Sequence, residues 1–372
     1  CIRDRNAAAR LQGNITDGDE EIFVKTVGDG AVVVWSDDFN VDMGLATTNP
    51  FVGVNKIVVK GGKGNDTIDL SGVQAGHIDE VLISGGIGDD DIWGSDGIDN
   101  IYGDDGIDQI WAGAGDDVIF GGRGDDEIYG EGDADTMYGN EGNDTLDGGD
   151  AAIDTYFGGP GNDTFVGSAG GDIFDLSDAG SFDVISGAPA DGVLDLSGLN
   201  VPVTVFVKDG RILAGFGALR DGLEIGDPLT PGTLLGETFS TDDTTFINNY
   251  DDAFDHVVLV LDVSGIDKVV GSSESDTFYV QDNYGLTSLT ANLLTLDGGL
   301  EADEFNFYAD PASDDMNIKV EDIGEALKDE NVINVWGSSG ADTITVTGSN
   351  ADGGDIDLGN SQNIQYIAPS SN

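Results

Sequence analysis

The chain has 372 residues and carries 72 acidic against 14 basic side chains, a formal net charge of −58 at pH 7. This charge disfavours nucleic acids and anionic lipid surfaces as partners, because both repel an acidic protein. A hydrophobic fraction of 39% together with 58 glycines is typical of a folded chain with many tight turns, and of one that needs cations before it can fold.

Residues 1–13 are an N-terminal segment in which Arg3–Leu11 is predicted to form a short helix. The segment is unusually basic for this chain, with arginines at Arg3, Arg5 and Arg10. We interpret it as a solvated cap over the open end of a solenoid. Alternatively, it docks on an acidic face of another copy and joins subunits end to end, since open strand edges are natural sites of polymerisation.

Cys1 is the single cysteine, so no internal disulfide holds the fold together. Two readings of Cys1 stay open: the lipidated first residue of a mature bacterial lipoprotein, or an arbitrary start of the sequence. Val257–Val263 is among the longest apolar runs, and it falls well short of the ~18 residues that a membrane-spanning helix needs. No membrane span is therefore expected.

Ten consecutive repeat units run from Gly85 to Asp175, beginning with GGIGDDDIW and ending with GSAGGDIFD. All have nine residues except GGDAAIDTYF, which has one more. Every unit has aspartate at its sixth position, at Asp90, Asp99, Asp108, Asp117, Asp126, Asp135, Asp144, Asp154, Asp163 and Asp172. Two positions later comes a large apolar residue, at Ile92, Ile101, Ile110, Ile119, Ile128, Met137, Leu146, Tyr156, Phe165 and Phe174.

The residue types predict one turn and one short strand in each unit. Glycine at the first, second and fourth positions permits positive φ angles and exposes carbonyl oxygens. The last three positions form a strand whose middle side chain points inward. Two units then close one flattened coil, and the fold class is all-β: a parallel β-roll or β-solenoid with a thin apolar core.

Stacked coils place the sixth-position aspartates in two columns, where carboxylates ~5 Å apart repel each other strongly. A hard divalent cation between successive turns reverses the sign of that interaction. Calcium accepts six to eight oxygens in flexible geometry, whereas Mg²⁺ requires a tighter octahedron and zinc or copper prefers His and Cys. We expect about eight calcium ions, one for each pair of stacked units on the same side.

This pattern resembles the RTX family, whose repeat G-G-x-G-x-D-x-U-x binds calcium in a parallel β-roll. The resemblance extends upstream to GGKGNDTID, with Asp66 at the aspartate position, and it implies secretion and an extracellular or cell-surface location. It also implies that the first six residues of each unit form the calcium turn. The glycines assigned to these turns are Gly86, Gly88, Gly97, Gly106, Gly113, Gly115, Gly122, Gly124, Gly142, Gly159, Gly161 and Gly170. Two units depart from the pattern, at Asp133 and around Ala151–Ile153.

Four regions are predicted along the chain: the N-terminal segment, a calcium-binding β-roll over 14–187, a less regular connecting region over 188–260, and a second, degenerate β-solenoid over 261–372. The last region contains looser copies of the turn, with weaker ligand candidates at Asp276, Asp303 and Asp342. It also contains a second predicted short helix, Asp322–Glu330.

No enzyme active site is expected. His77 and His256 are the two histidines, and neither lies in an HExxH motif. No GxSxG motif occurs either. The Arg-Gly-Asp tripeptide at Arg123–Asp125 fits the repeat and is interpreted as part of a turn.

Three functions fit the sequence. The leading hypothesis is an extracellular structural protein, a calcium-stiffened rod that serves as a filament subunit of a surface or matrix, or as an adhesin stalk. The second is the calcium-binding part of a larger secreted enzyme or toxin. The third is a carbohydrate-binding module that uses exposed aromatic residues such as Trp93, Tyr102 and Trp111 as stacking platforms, although these residues also fit a simple role in covering the sheet.

Overall fold

The computed structural model describes residues 19–27, 31–35, 52–76, 78–150, 152–168, 171–176, 182–186, 192–208, 211–216, 256–260, 266–281, 294–299, 301–308, 317–321, 332–336, 345–350, 353–359 and 362–367. The regular elements in these ranges are all β-strands, and no helix there is long and apolar enough to cross a membrane. The predicted helices Arg3–Leu11 and Asp322–Glu330 lie outside the described residues. The chain divides into two units, Cys1–Asp172 and Ile173–Asn372.

The strands of the first unit are β1 (Glu21–Val27), β2 (Ala31–Trp35), β3 (Lys56–Lys63), β4 (Thr67–Gly72), β5 (Glu80–Ile87), β6 (Asp91–Trp93), β7 (Asp99–Asp105), β8 (Gln109–Ala114), β9 (Val118–Arg123), β10 (Glu127–Gly132), β11 (Thr136–Glu141), β12 (Thr145–Asp147), β13 (Thr155–Phe157) and β14 (Thr164–Val166). They form two sheets, ordered β2-β1-β4-β6-β8-β10-β12-β14 and β3-β5-β7-β9-β11-β13. Pairing is parallel except between β1 and β2. Consecutive strands thus alternate between the sheets, which is the path of a β-solenoid.

The core of this unit is a row of side chains that projects from each sheet towards the other. In one sheet Ile110 pairs in register with Ile92 and Ile128, and all three are fully buried. The other sheet repeats the arrangement with Ile101, Ile119 and Met137. The residues on either side of each buried position are partly exposed, as strand alternation requires. The predicted all-β parallel solenoid is confirmed.

Aromatic side chains at the ninth position of the units stack on the outer faces of both sheets. Their ring planes are nearly parallel, with interplanar angles of 4–8°. Ring centroids are separated by 4.8 Å and 5.6 Å along Trp93–Trp111–Tyr129, and by 4.9, 4.7 and 4.5 Å along Tyr102–Phe120–Tyr138–Phe157. These ladders cover the outside of the thin core and add stacking between successive coils.

The strands of the second unit are β15 (Ile173–Asp175), β16 (Phe182–Ser186), β17 (Gly192–Asp195), β18 (Val203–Lys208), β19 (Arg211–Phe216), β20 (His256–Val260), β21 (Ile266–Val270), β22 (Thr277–Gln281), β23 (Leu294–Asp297), β24 (Glu304–Tyr308), β25 (Asn317–Glu321), β26 (Val332–Trp336), β27 (Thr345–Asn350), β28 (Gly353–Gly359) and β29 (Gln362–Ile367). Most pair in parallel, but β18-β19-β20 and β27-β28-β29 are antiparallel. Phe278 stacks on Phe305, 27 positions later, so a coil here is longer than in the first unit. The segment 188–260 contributes β17–β20 to these sheets.

Replacement of the buried Ile110 by alanine is expected to lower the free energy of unfolding by about 2–5 kcal/mol, because a core side chain is lost and a cavity remains. The matched control is Ile107→Ala in the adjoining turn, where the side chain is 55% exposed and a change within about 0.5 kcal/mol is expected. Urea denaturation at saturating calcium measures both. Equal effects of the two substitutions would contradict the assignment of the core.

Candidate metal centre

The sixth-position aspartates form two columns along the first unit. The first column contains Asp66, Asp90, Asp108, Asp126, Asp144 and Asp163, and the second contains Asp99, Asp117, Asp135, Asp154 and Asp172. These carboxylates lie beneath the turns, with at most 1% of each residue exposed. The structure therefore brings together the aspartates that the repeat spacing assigns to each side.

A hydrogen bond links each aspartate to the next one in its column. The backbone N–H of Asp90 donates to Oδ1 of Asp108 at 2.8 Å, and that of Asp108 donates to Oδ1 of Asp126 at 2.8 Å. The same bond recurs along both columns at 2.7–3.1 Å. Oδ1 is thus used to join successive coils, which leaves Oδ2 as the atom that is available for another interaction.

Oδ2 is buried without a hydrogen-bond partner in Asp66, Asp90, Asp108, Asp117, Asp126, Asp135, Asp144 and Asp154. Native proteins pair nearly all of their buried polar atoms, and a buried unpaired carboxylate oxygen carries a large desolvation cost. A repeated, orphaned carboxylate oxygen is a donor that a hard cation can use. The orphaned oxygen atoms of these aspartates are therefore suitable ligands for a hard cation.

The first-position glycine makes room for this oxygen. A Cβ added at Gly85 would meet Oδ2 of Asp90, and one added at Gly121 would meet Oδ2 of Asp126. The expectation of positive φ at the first position is wrong, because Gly85 and Gly121 are not among the residues with positive φ. At Gly85 and Gly121 the requirement is steric, because a side chain would meet the carboxylate, whereas the unit of Asp117 accommodates the methyl group of Ala112 at this position.

Positive φ occurs instead at the second and fourth positions, including Gly86, Gly88, Gly106, Gly113, Gly115, Gly122, Gly124, Gly142, Gly159 and Gly161. Asp133 adopts the same region with φ 70°, and so keeps the turn without glycine. Gly97 does not adopt it, and Gly170 lies outside the described residues. The fourth-position turns pack closely: a Cβ on Gly124 would meet the carbonyl oxygen of Gly106, one coil before it.

Gly124→Ala is expected to strain its turn and to raise several-fold the calcium concentration needed for half-maximal folding. Its φ of 123° disfavours a side chain, and the added Cβ would meet the Gly106 carbonyl, for a cost of about 1–3 kcal/mol. Gly97→Ala is the control, since the nearest atom to its added Cβ is Cα of Ala75 at 3.7 Å. Calcium titration followed by circular dichroism compares them. A larger shift for Gly97→Ala would refute this account of the turn.

Burial raises the pKa of the column aspartates, and like charges in neighbouring turns add to the effect. The pKa of Asp117 rises to about 9 and the pKa values of Asp126 and Asp135 to about 8. The pKa values of Asp90 and Asp154 rise to about 7 for the same reasons. The protein matrix alone thus disfavours the anionic form at neutral pH, and a bound cation restores it.

The donor set favours calcium. The described residues contain no group of three or more His, Cys, Asp or Glu side chains that could hold a metal. The glycine-rich turns bring carbonyl oxygens close together, as at Gly106 and Gly124. Carboxylate and carbonyl oxygens suit calcium, whereas zinc and copper prefer nitrogen and sulfur.

A family model of the RTX calcium-binding nonapeptide repeat matches the chain four times, over residues 58–72, 93–128, 120–152 and 148–178. Residues 58–72 and 93–178 are therefore RTX calcium-binding repeats. These repeats bind calcium, and the orphaned oxygens described above mark the turns that fit the ion. No curated protein matches the chain.

The weaker candidates lie beyond the RTX matches. Asp276 and Asp303 are neighbours in a column of the second unit, since the N–H of Asp276 donates to Oδ1 of Asp303 at 2.8 Å. Oδ1 of Asp276 also accepts the N–H of Val203 at 2.7 Å. Asp342 lies outside the described residues.

A second ladder, at the fifth position, escaped the sequence reasoning. Oδ1 of Asp89 accepts the N–H of Ile107 at 3.0 Å, and Oδ1 of Asp125 accepts the N–H of Asn143 at 2.8 Å. These bonds run opposite to those of the sixth position, from a later turn back to an earlier one. The recurrence of Asp or Asn before the sixth-position Asp was the available signal. Asp125, the last residue of the Arg-Gly-Asp tripeptide, is therefore used by the turn.

Proposed function

We propose that this protein is an extracellular calcium-binding structural protein, whose repeat array becomes a stiff rod when calcium is bound. Such a rod serves as a filament subunit of a surface or matrix, or as an adhesin stalk. The observation that carries the proposal is the continuity of the two columns, which link one coil to the next from Asp66 to Asp172. A cation bound at each orphaned carboxylate supplies positive charge to every coil and so couples folding along the whole array.

The proposed extracellular location agrees with the calcium affinity that is expected of these turns. Calcium modules that act outside cells have dissociation constants on the order of 10⁻⁴–10⁻³ M. Sites built from one orphaned carboxylate oxygen in each turn, together with main-chain carbonyls, belong at this weak end, and coupling between coils makes binding cooperative. RTX repeats are typical of secreted proteins, in agreement with this reading.

A non-enzymatic role is part of the proposal. Strongly perturbed carboxylates often mark catalytic sites. In the described part of this chain, every aspartate with a raised pKa occupies the sixth position of a turn, at Asp66, Asp90, Asp99, Asp108, Asp117, Asp126, Asp135, Asp144, Asp154, Asp172 and Asp276. The turns account for the perturbed acids without catalysis.

The ladder geometry also argues against a carbohydrate platform. Sugar rings stack on the free face of an aromatic side chain, but Trp111 has Trp93 on one face and Tyr129 on the other. Tyr102 likewise has Phe120 stacked on one face. The ladders present mainly ring edges to solvent, which suits covering the sheet.

Electron microscopy of the purified full chain with calcium, and after EDTA, tests the structural role. Filaments with calcium that disperse in EDTA indicate a filament subunit, and single elongated particles indicate a stalk. Reversal of Arg3, Arg5 and Arg10 to glutamate is expected to remove filaments and leave the particles intact if the N-terminal segment joins subunits. Calcium-loaded material without elongated particles would contradict both roles.

A further inference from the structure

Among the described residues, three turns carry serine instead of glycine at the second position. Ser95, Ser168 and Ser272 each stand four residues before the sixth-position aspartate of their unit, which is Asp99, Asp172 and Asp276 respectively. The strand that leads into each of these turns ends before it: β6 ends at Trp93, β14 at Val166 and β21 at Val270. Strand length does not by itself distinguish them, since β5 and β9 continue into Gly-Gly turns but β12 and β13 end before theirs.

Each of these serines binds the carboxylate of its own turn. The backbone N–H of Ser95 donates to Oδ2 of Asp99 at 2.5 Å, and its hydroxyl donates to Oδ1 at 2.8 Å. Ser272 makes the same two bonds to Asp276, at 2.5 Å and 2.8 Å. In the third turn the N–H of Ser168 donates to Oδ2 of Asp172 at 2.6 Å, with a longer hydroxyl contact of 3.4 Å to Oδ1. Oδ2, which is orphaned in the Gly-Gly turns, has a donor here.

The backbone explains the difference. At the second position of Gly-Gly turns, Gly86 and Gly122 have φ of 127° and 128°, whereas none of the three serines has positive φ. The Gly-Gly backbone leaves Oδ2 without a donor. The serine backbone instead aims its own N–H at that oxygen.

Asp104, Glu131 and Asn140 also occupy the second position, with φ of 80°, 73° and 73°. Oδ2 of the aspartates in their turns, Asp108, Asp135 and Asp144, stays orphaned. The sign of φ at this position, rather than glycine itself, therefore separates the two kinds of turn.

In the first unit, the two serine turns lie at the two ends of the second column. Asp99 and Asp172 are the first and last members of the second column in the first unit, and the members between them are Asp117, Asp135 and Asp154. Oδ2 of each intermediate member is orphaned. The turn of Asp99 has another aspartate turn on one side only, and on its other side the N–H of Asp96 donates to the carbonyl of Val73 at 2.9 Å.

We propose that serine at the second position is a metal-free cap, in which hydrogen bonds replace calcium in the turns of Asp99, Asp172 and Asp276. The N–H hydrogen points at the oxygen that a cation would otherwise contact, and both carry positive charge, so the two exclude each other. Calcium sites of the second column are then confined to Asp117, Asp135 and Asp154. This inference rests on the proposed function, since it assumes that the orphaned oxygens bind calcium.

The test is to count calcium ions bound to the full chain by equilibrium dialysis at saturating calcium, in the wild type, Asp117→Asn and Asp99→Asn. The two substitutions make the same chemical change in adjacent coils of one column. Asp117→Asn is expected to lower the count by about one ion per chain, and Asp99→Asn to leave it unchanged. An equal loss in both variants would overturn the cap. Absence of bound calcium in the wild type would instead overturn the proposed function, and the cap with it.

Ser95→Ala keeps the test decisive if Asp99→Asn does not regain its β-sheet signal with calcium. Alanine retains the backbone N–H that caps Oδ2, so the count is expected to stay at the wild-type value. Were the serine hydroxyl a calcium ligand, Ser95→Ala would lose about one ion, and the cap would be refuted. Ala134→Ser, an exposed change at the fifth position of the Asp135 turn in the same column, is the control for the substitution itself.

Discussion

Removal of calcium by excess EDTA at neutral pH is expected to unfold the repeat array. Each orphaned Oδ2 is a buried polar atom without a partner, and each such atom costs about 1–3 kcal/mol. The free energy of unfolding of a domain is only about 5–15 kcal/mol, so several unpaired carboxylate oxygens together cost more than this stability. The core cannot compensate, because most strands of the repeat array bury a single large apolar side chain, such as Ile110 or Ile119.

Far-ultraviolet circular dichroism measures this loss. The spectrum in EDTA is expected to be that of a disordered chain over the array, and the β-sheet signal returns cooperatively when calcium is added. Magnesium at the same ionic strength is the control for simple charge screening and is expected to restore little signal, since it requires a tighter octahedron. A protein that keeps its strands in EDTA at low salt would refute the dependence on metal.

A matched pair of variants shows which aspartate of a turn makes folding depend on calcium. Asp126 is buried with an orphaned Oδ2, whereas the adjacent Asp125 is exposed and accepts the N–H of Asn143. Asp126→Asn is expected to raise the calcium midpoint several-fold and Asp125→Asn to change it little, although both remove one negative charge. Equal shifts would mean that net charge, rather than the column, sets the calcium requirement.

The solenoid could be predicted from the sequence because one period fixes both structure and chemistry. Nine residues set the inward position of Ile92 and the column position of Asp90 together, and two units to a coil then fix which aspartates are stacked. The hydrogen-bond roles could not be predicted in this way. Whether Oδ2 of an aspartate has a hydrogen-bond donor depends on the backbone conformation of its turn, and this conformation differs between Gly86 and Ser95.

Positions that depart from the repeat were also not predictable from the sequence. Tyr156 follows the inserted residue and occupies an inward position that predicts a plain core side chain. In the structure its hydroxyl accepts the N–H of Gly148 and donates to the carbonyl of Val166, both at 3.0 Å. The antiparallel strands β18, β19 and β20 were equally beyond sequence reasoning, because without a repeat nothing fixes the pairing of distant strands such as β19 and β20.

In EDTA, acidification is expected to restore the fold that calcium supports at neutral pH. The folded-state pKa of Asp117 is about 9 and those of Asp126 and Asp135 are about 8, against a reference value of 3.8. A group whose pKa is raised by folding binds its proton more tightly in the folded state. Its contribution to stability is therefore complete below about pH 4 and is lost progressively as the pH rises towards about 8–9. Protons and calcium thus compete for the same oxygens, and calcium affinity is expected to rise with pH.

Circular dichroism in EDTA from about pH 5.5 to 9 tests this, at pH values above the isoelectric point of 4.1 to limit precipitation. The double variant Asp126→Asn/Asp135→Asn removes two titrating buried groups and is expected to retain its β-sheet signal to higher pH than the wild type. Asp116→Asn/Asp125→Asn makes the same change in net charge at two exposed fifth-position residues, and so separates titration in the columns from general charge repulsion. If the metal-free array were less structured near pH 5.5 than near pH 8, buried carboxylates could not be the groups that make folding depend on calcium.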